Sequence, residues 1–110
     1  MALITSLGSQ AVTTTNATLG SAVPTGQIWR VVAVNIQQPA GSVAKTISLA
    51  IGTTATAGNV KRRYSLSAGV ATAQDFPNLA LVAADQLNVV ADTGTSEAVI
   101  TVTVAKDLVA

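Results

Sequence analysis

Apolar side chains along this chain recur mostly at every second position, in runs of five to ten residues, which is the period of a β-strand. In Lys45 to Ile51, Ile47, Leu49 and Ile51 alternate with Thr46, Ser48 and Ala50. In Ala98 to Ala105, Ile100, Val102 and Val104 face one way and Thr101 and Thr103 the other. Leu87 to Ala91 puts Leu87, Val89 and Ala91 together. Val60 to Leu66 sets Val60, Arg62, Tyr64 and Leu66 against Lys61, Arg63 and Ser65, and lacks the helix formers at i, i+3, i+4 that a helical reading needs. The strongest segment is Gln27 to Ile36. Ile28, Val32, Val34 and Ile36 fall on one face, Trp29, Val31, Ala33 and Asn35 on the other, so the pattern predicts a central strand covered on both sides. Arg30 would then snorkel to the rim. Val70 to Phe76 and Leu79 to Val82 are weaker strands.

Turn residues punctuate these runs. Val23-Pro24-Thr25-Gly26 combines a preset φ with a residue free to adopt positive φ. Gln38 to Ser42, Gly52 to Asn59, Ser67-Ala68-Gly69, Pro77-Asn78, Ala84-Asp85 and Asp92 to Thr95 break the chain again, and Lys106-Asp107 is expected to end the last strand. Seven to eight short strands at this spacing predict an all-β fold, an antiparallel β-sandwich of jelly-roll-like form. Residues 1–18 are small and polar with weak periodicity; they read as an N-terminal arm that orders on a neighbour, or as an edge strand around Gln10 to Thr15. The sandwich domain is expected over 19–110.

Composition changes the functional picture more than the fold. The 110 residues contain no His and no Cys, and 10% are charged. Acid–base, nucleophilic and metal chemistry lean on those two residue types, so the expectation is no enzyme, no cofactor and no metal. A net charge of +1 and three aromatic residues argue against direct nucleic-acid binding. No apolar run is long enough for a membrane span, and the first residues lack the basic and apolar regions of a signal peptide. The chain is expected to stay in the cytoplasm where it is made unless it leaves inside a larger particle. Low net charge with a mean hydropathy of +0.51 favours association.

Candidate chemistry is sparse. Gly41 to Thr46 ends like a phosphate loop, but Pro39 and Ala44 stand where that loop needs glycine, so a hairpin connection is the better reading. Asn16-Ala17-Thr18 matches a glycosylation sequon by chance. Asp85 and Asp92 would lie at opposite ends of one strand, too far apart to share calcium, and Asp92, Thr93, Thr95 and Glu97 fit a turn as well as a cation loop. Lys61-Arg62-Arg63 is either a charged edge strand or an inter-subunit patch. Trp29 is either core or an interface anchor. The candidate interface residues are therefore Trp29, Arg30, Lys61, Arg62, Arg63 and Tyr64.

Three segments together carry a resemblance: Val23-Pro24-Thr25-Gly26-Gln27 running into the strand that ends at Asn35; Leu79-Ala80-Leu81 followed by Ala84-Asp85-Gln86-Leu87-Asn88-Val89; and Val99-Ile100-Thr101-Val102-Thr103-Val104. Their order, over residues 19–105, resembles small β-sandwich virion proteins of tailed bacteriophages, of the capsid-decoration, head-fibre, neck or tail-fibre type. Thr25 stands where that pattern has Ala, and Ala84 where it has Gly before Asp. The resemblance implies a structural protein of the virion, assembled in the host cytoplasm, that self-associates as a trimer or ring and meets other virion proteins such as the major capsid protein. The alternative is a receptor- or glycan-binding module of a fibre, a reading that predicts a concave site of polar loops, Gly52 to Asn59 with Asp92 to Glu97. It supplies no catalytic residues.

Overall fold

A computed structural model describes residues 3–52, 55–56, 58–93 and 98–108. Nine strands run through them: β1 (Leu3–Ala11), β2 (Ala17–Leu19), β3 (Gln27–Gln38), β4 (Lys45–Ile51), β5 (Val60–Leu66), β6 (Ala71–Asp75), β7 (Leu79–Leu81), β8 (Leu87–Ala91) and β9 (Val99–Leu108). Two antiparallel sheets result. The first has the order β1-β9-β3-β6, with β7 also on β3, and the second β2-β8-β4-β5. β6 covers Val34 to Gln38 of β3 and β7 covers Trp29 to Val31, so the two are halves of one edge strand broken at Phe76-Pro77-Asn78. Counted as one, they leave four nested pairs, β1 with β9, β2 with β8, β3 with β6/β7 and β4 with β5. That is a jelly roll.

The expected alternation survives where the ladder is regular. Ile47, Leu49, Leu87, Val89, Ile100, Val102 and Val104 all point into one core between the sheets. It fails in β3, where Val32 is an extra residue between Val31, opposite Val104, and Ala33, opposite Thr103. This β-bulge resets the phase. Trp29 and Val31 before it, and Val34 and Ile36 after it, therefore all face inward, and Ile28, Arg30, Asn35 and Gln37 face out. β3 is central within its sheet but covered on one face only, contrary to the two-sided reading. A second bulge, between Ser6 and Gly8 of β1, lies beside the same stretch of β9.

Other boundaries also differ from expectation. β1 occupies 3–11, so of the edge strand read around Gln10 to Thr15 only Gln10 and Ala11 are in a strand, and the chain leaves the sheet at 12–16. β9 continues through Lys106 and Asp107, because Gln27, Ile28 and Trp29 of β3 are there to pair with it. The connection from β3 to β4 crosses from one sheet to the other and is not a hairpin. Ala50 is buried with its neighbour Asn88. Asn88 donates from Nδ2 to Asn16 Oδ1 (2.7 Å), which also accepts the Ala55 N–H (2.9 Å), so the sequon asparagine holds the connection after β4 in place.

Ala84 takes φ 73°, a left-handed conformation that a Cβ disfavours. It is held there by its N–H to Val23 O (2.8 Å), by the Asp85 N–H to Val82 O (2.9 Å) and by Asp85 Oδ2, which accepts the Val82 N–H (2.9 Å). Replacing Ala84 with Gly, the residue of the virion-protein pattern, relieves the strain at some cost in unfolded-state entropy. The expected net gain is about 0.5–1 kcal/mol, seen as a rise in Tm of about 3–6 °C by calorimetry.

Candidate interaction surfaces

The outer face of the first sheet is a set of rungs built from small and polar side chains. Ser9, Thr101, Asn35 and Gln74 form one rung, with Ser9 Oγ and Thr101 Oγ1 2.9 Å apart. Ala11, Val99, Gln37 and Thr72 form another, and Ser6, Thr103 and Ala33 a third. Charge enters at one end, where Arg30 Nη2 lies 3.4 Å from Asp107 Oδ2 with both side chains well solvated. Such a pair adds little stability.

Along the flank where β5 meets β6, polar groups close the sandwich. Tyr64 donates to Asp75 Oδ2 (2.7 Å), Arg62 Nε lies 3.6 Å from the same oxygen, and Arg62 Nη2 donates to Pro77 O (3.3 Å). Burial, and then the hydrogen bond to the Asp75 carboxylate, hold the Tyr64 phenol well above its ordinary pKa. At the end of the fold where β3 leaves its sheet, Lys45 is 4% exposed. Its ammonium donates to Gln38 Oε1 (2.7 Å), and Gln38 Nε2 donates to Ser67 O (2.7 Å) and Gly69 O (3.1 Å). The β3–β4 and β5–β6 connections are thereby tied together, helped by the Gly69 N–H to Ser42 O (2.8 Å).

The six candidate interface residues do not form one patch. Trp29 is 3% exposed and packs in this chain's own core, with its Nε1 donating to Gln27 Oε1 (2.7 Å) and Lys106 Nζ 4.1 Å from its ring centroid. It is unavailable as an exposed anchor. Arg30 stands on the outer face of the first sheet. Arg62 and Tyr64 turn toward Asp75. All three cations of the triplet are exposed, on the edge strand β5. The two loops of the expected concave site are also apart. Ile51, which leads into Gly52 to Asn59, lies opposite Leu87, whereas Asp92 hydrogen-bonds to Thr46 at the other end of β4. Thr53, Thr54, Ala57 and 94–97 lie outside the described residues. Among the described residues no cluster of acidic side chains could hold a metal ion. A shallow groove of about 470 Å³ runs past Leu3, Pro24, Gln27, Trp29 and Lys106, and a second of about 390 Å³ past Gln38, Pro39, Val70 and Val99.

Sequence reasoning missed Lys45 and Gln38. The signal was present: Lys45 is in phase with Ile47 and Leu49, and a lysine at an inward position needs a partner. Asp75 is likewise in phase with the half-buried Ala71 and Ala73.

No protein-family model matches the chain, and no curated protein matches it. A solved structure does: a chain of the Bacillus endospore appendages described as forming a novel family of disulfide-linked pili. The identity is 9%, the TM-score 0.57, and the match covers 100% of this chain and 88% of that one. The likeness is one of fold.

Two measurements test the polar closures. The chain has one tyrosine, so tyrosinate absorbance reads Tyr64 directly. Its phenol is expected to stay protonated in the folded protein at pH 11, where an unfolded chain, with a pKa of about 10, has released it. The raised value stabilises the fold fully below pH 10, and that stability is lost as pH rises beyond it. Tyr64→Phe should therefore cost about 1 kcal/mol near neutrality and flatten the alkaline fall in Tm relative to the parent. Gln38→Leu strands the Lys45 ammonium and two carbonyls and should cost about 2–4 kcal/mol. Adding Lys45→Met should restore most of that loss in chemical denaturation.

Proposed function

We propose that this chain is a structural subunit of a tailed-bacteriophage particle, one that self-associates and decorates or cements the capsid or forms part of the neck or tail. Its work is mechanical: β-sheet surfaces bury against other subunits, and many weak contacts sum to a strong one.

The observation that carries this reading is the meeting of the three segments behind the virion-protein resemblance. Val23, in the first, receives the Ala84 N–H and gives its own N–H to Asp85 O, both at 2.8 Å, and Ala84 and Asp85 belong to the second. β3, which the first segment enters, then pairs with β7 of the second and β9 of the third. Segments that are scattered turn signals in the sequence make one connected seam in the fold. That connection is what supports the reading.

The pilus-forming neighbour is compatible with a subunit role, since it too builds an assembly from this type of fold. Its disulfide linkage has no counterpart here, because this chain has no cysteine. Any assembly of these 110 residues is held by non-covalent contacts or by other chemistry than a disulfide.

Antibody raised against the chain should label phage particles purified from cells that encode it. Particles made without it should lose titre faster on heating or osmotic shock. Unlabelled particles of unchanged robustness would overturn the reading.

A further inference from the structure

Charge is distributed unevenly along this chain. Residues 1–29 contain no Asp, Glu, Lys or Arg, so all 6 basic and 5 acidic residues lie in 30–110. The fold places most of the uncharged stretch on one flank, because β1 and β2 are edge strands of the two sheets on the same side of the sandwich; Lys106 and Asp107 of β9 stand beside its Leu3 end. The opposite flank carries Lys61, Arg62, Arg63 and Asp75.

From this we infer that a second copy of the chain docks on the uncharged flank, the two β1 edges lying antiparallel about a two-fold axis. The inference rests on the self-association proposed above and names its surface. β1 pairs with β9 on one side, and among the described residues no strand pairs with its other side. An open edge of this kind is a template for another strand.

The remaining edges are defended. β2 has three residues, β5 carries three consecutive cations, and the β6/β7 edge is broken around Pro77. β1 has nine residues without charge or proline, and its Leu3 and Ile4 are 65% and 67% exposed. Its bulge at Leu7 divides the edge into two runs, Leu3 to Ser6 and Gly8 to Ala11, so pairing uses one run or both with a step between them.

Charge selects the occupant. A head-to-tail contact between β1 and a neighbour's β5 would desolvate Lys61, Arg62 and Arg63 against an edge strand that has no carboxylate of its own. A two-fold contact sets uncharged edge strand on uncharged edge strand, which suits the charge-poor centre of interfaces and the commonest symmetry of homo-oligomers.

The absence of native cysteine makes the test clean. Single cysteines at Leu3, Ile4, Ser6, Ser9 and Ala11, and at Arg63 on the other flank, are oxidised in the otherwise unchanged full chain. Disulfide dimers are expected at one or two neighbouring β1 positions, where a residue near the axis meets its own copy within bonding distance, and not at Arg63. Separately, Ile4→Lys with Ala11→Lys places like charges across the axis. It should weaken association at least tenfold by sedimentation velocity, with Trp29 fluorescence unchanged. Self-association that persists in that variant, or that cross-links through Arg63 and not through β1, overturns this surface and leaves the subunit reading standing. A chain that stays monomeric at every concentration, with no cross-link at any position, overturns the surface and the self-association together.

Discussion

The fold depends on a single phase change in β3. Trp29 and Val31 need the same face as Val34 and Ile36, and an uninterrupted strand would turn those two pairs to opposite sides. The extra residue at Val32 brings them together, and β9 pairs along the strand on both sides of it. Without that step, either the indole or the isoleucine row would be in water, and the core that contains Ile47, Leu49, Leu87 and Val89 would lose those side chains. With the matching irregularity in β1, both bulges sit at Val102 to Val104. Each neighbour of β9 carries one added residue there, and an added residue bends a strand and strengthens its twist.

Around this core, polar groups hold the margins. The Tyr64, Asp75 and Arg62 cluster links the two sheets at one flank, and the Lys45 to Gln38 contact ties two connections at one end. Each group meets a partner within its own chain. The charge-free flank is closed by hydrogen bonds between neutral groups, such as Asn88 to Asn16, and by contacts like that of Leu7, which packs near Gly20. The molecule thus has one flank that carries ionic contacts and one whose edge strands carry uncharged side chains, and it is the second that resembles the charge-poor centre of an interface.

Period and punctuation in the sequence were enough for the class of fold and for most strands. β4, β5 and β8 run over the predicted residues because each is short and bounded by turn residues. The bulge in β3 was not legible, since a segment apolar at consecutive positions fits both a doubly covered strand and a phase-shifted one. Sheet membership was also beyond reach: Gln38 to Ser42 reads as a turn whether the chain folds back or crosses over. Trp29 and Lys61 to Tyr64 stood out as interface candidates because they are the conspicuous residues, yet burial and Asp75 claim three of them. Asp75 and Lys45 were visible only as charged residues in phase with apolar ones.

The position of β9 between β1 and β3 has a consequence for how the molecule comes into being. Leu3 lies opposite Lys106, so the middle strand of the first sheet is the last of the described strands to leave the ribosome. Until then β1 and β3 have no common partner, and the long loop that joins them to it must close late. Folding of the first sheet is therefore an event that follows synthesis of nearly all the described residues.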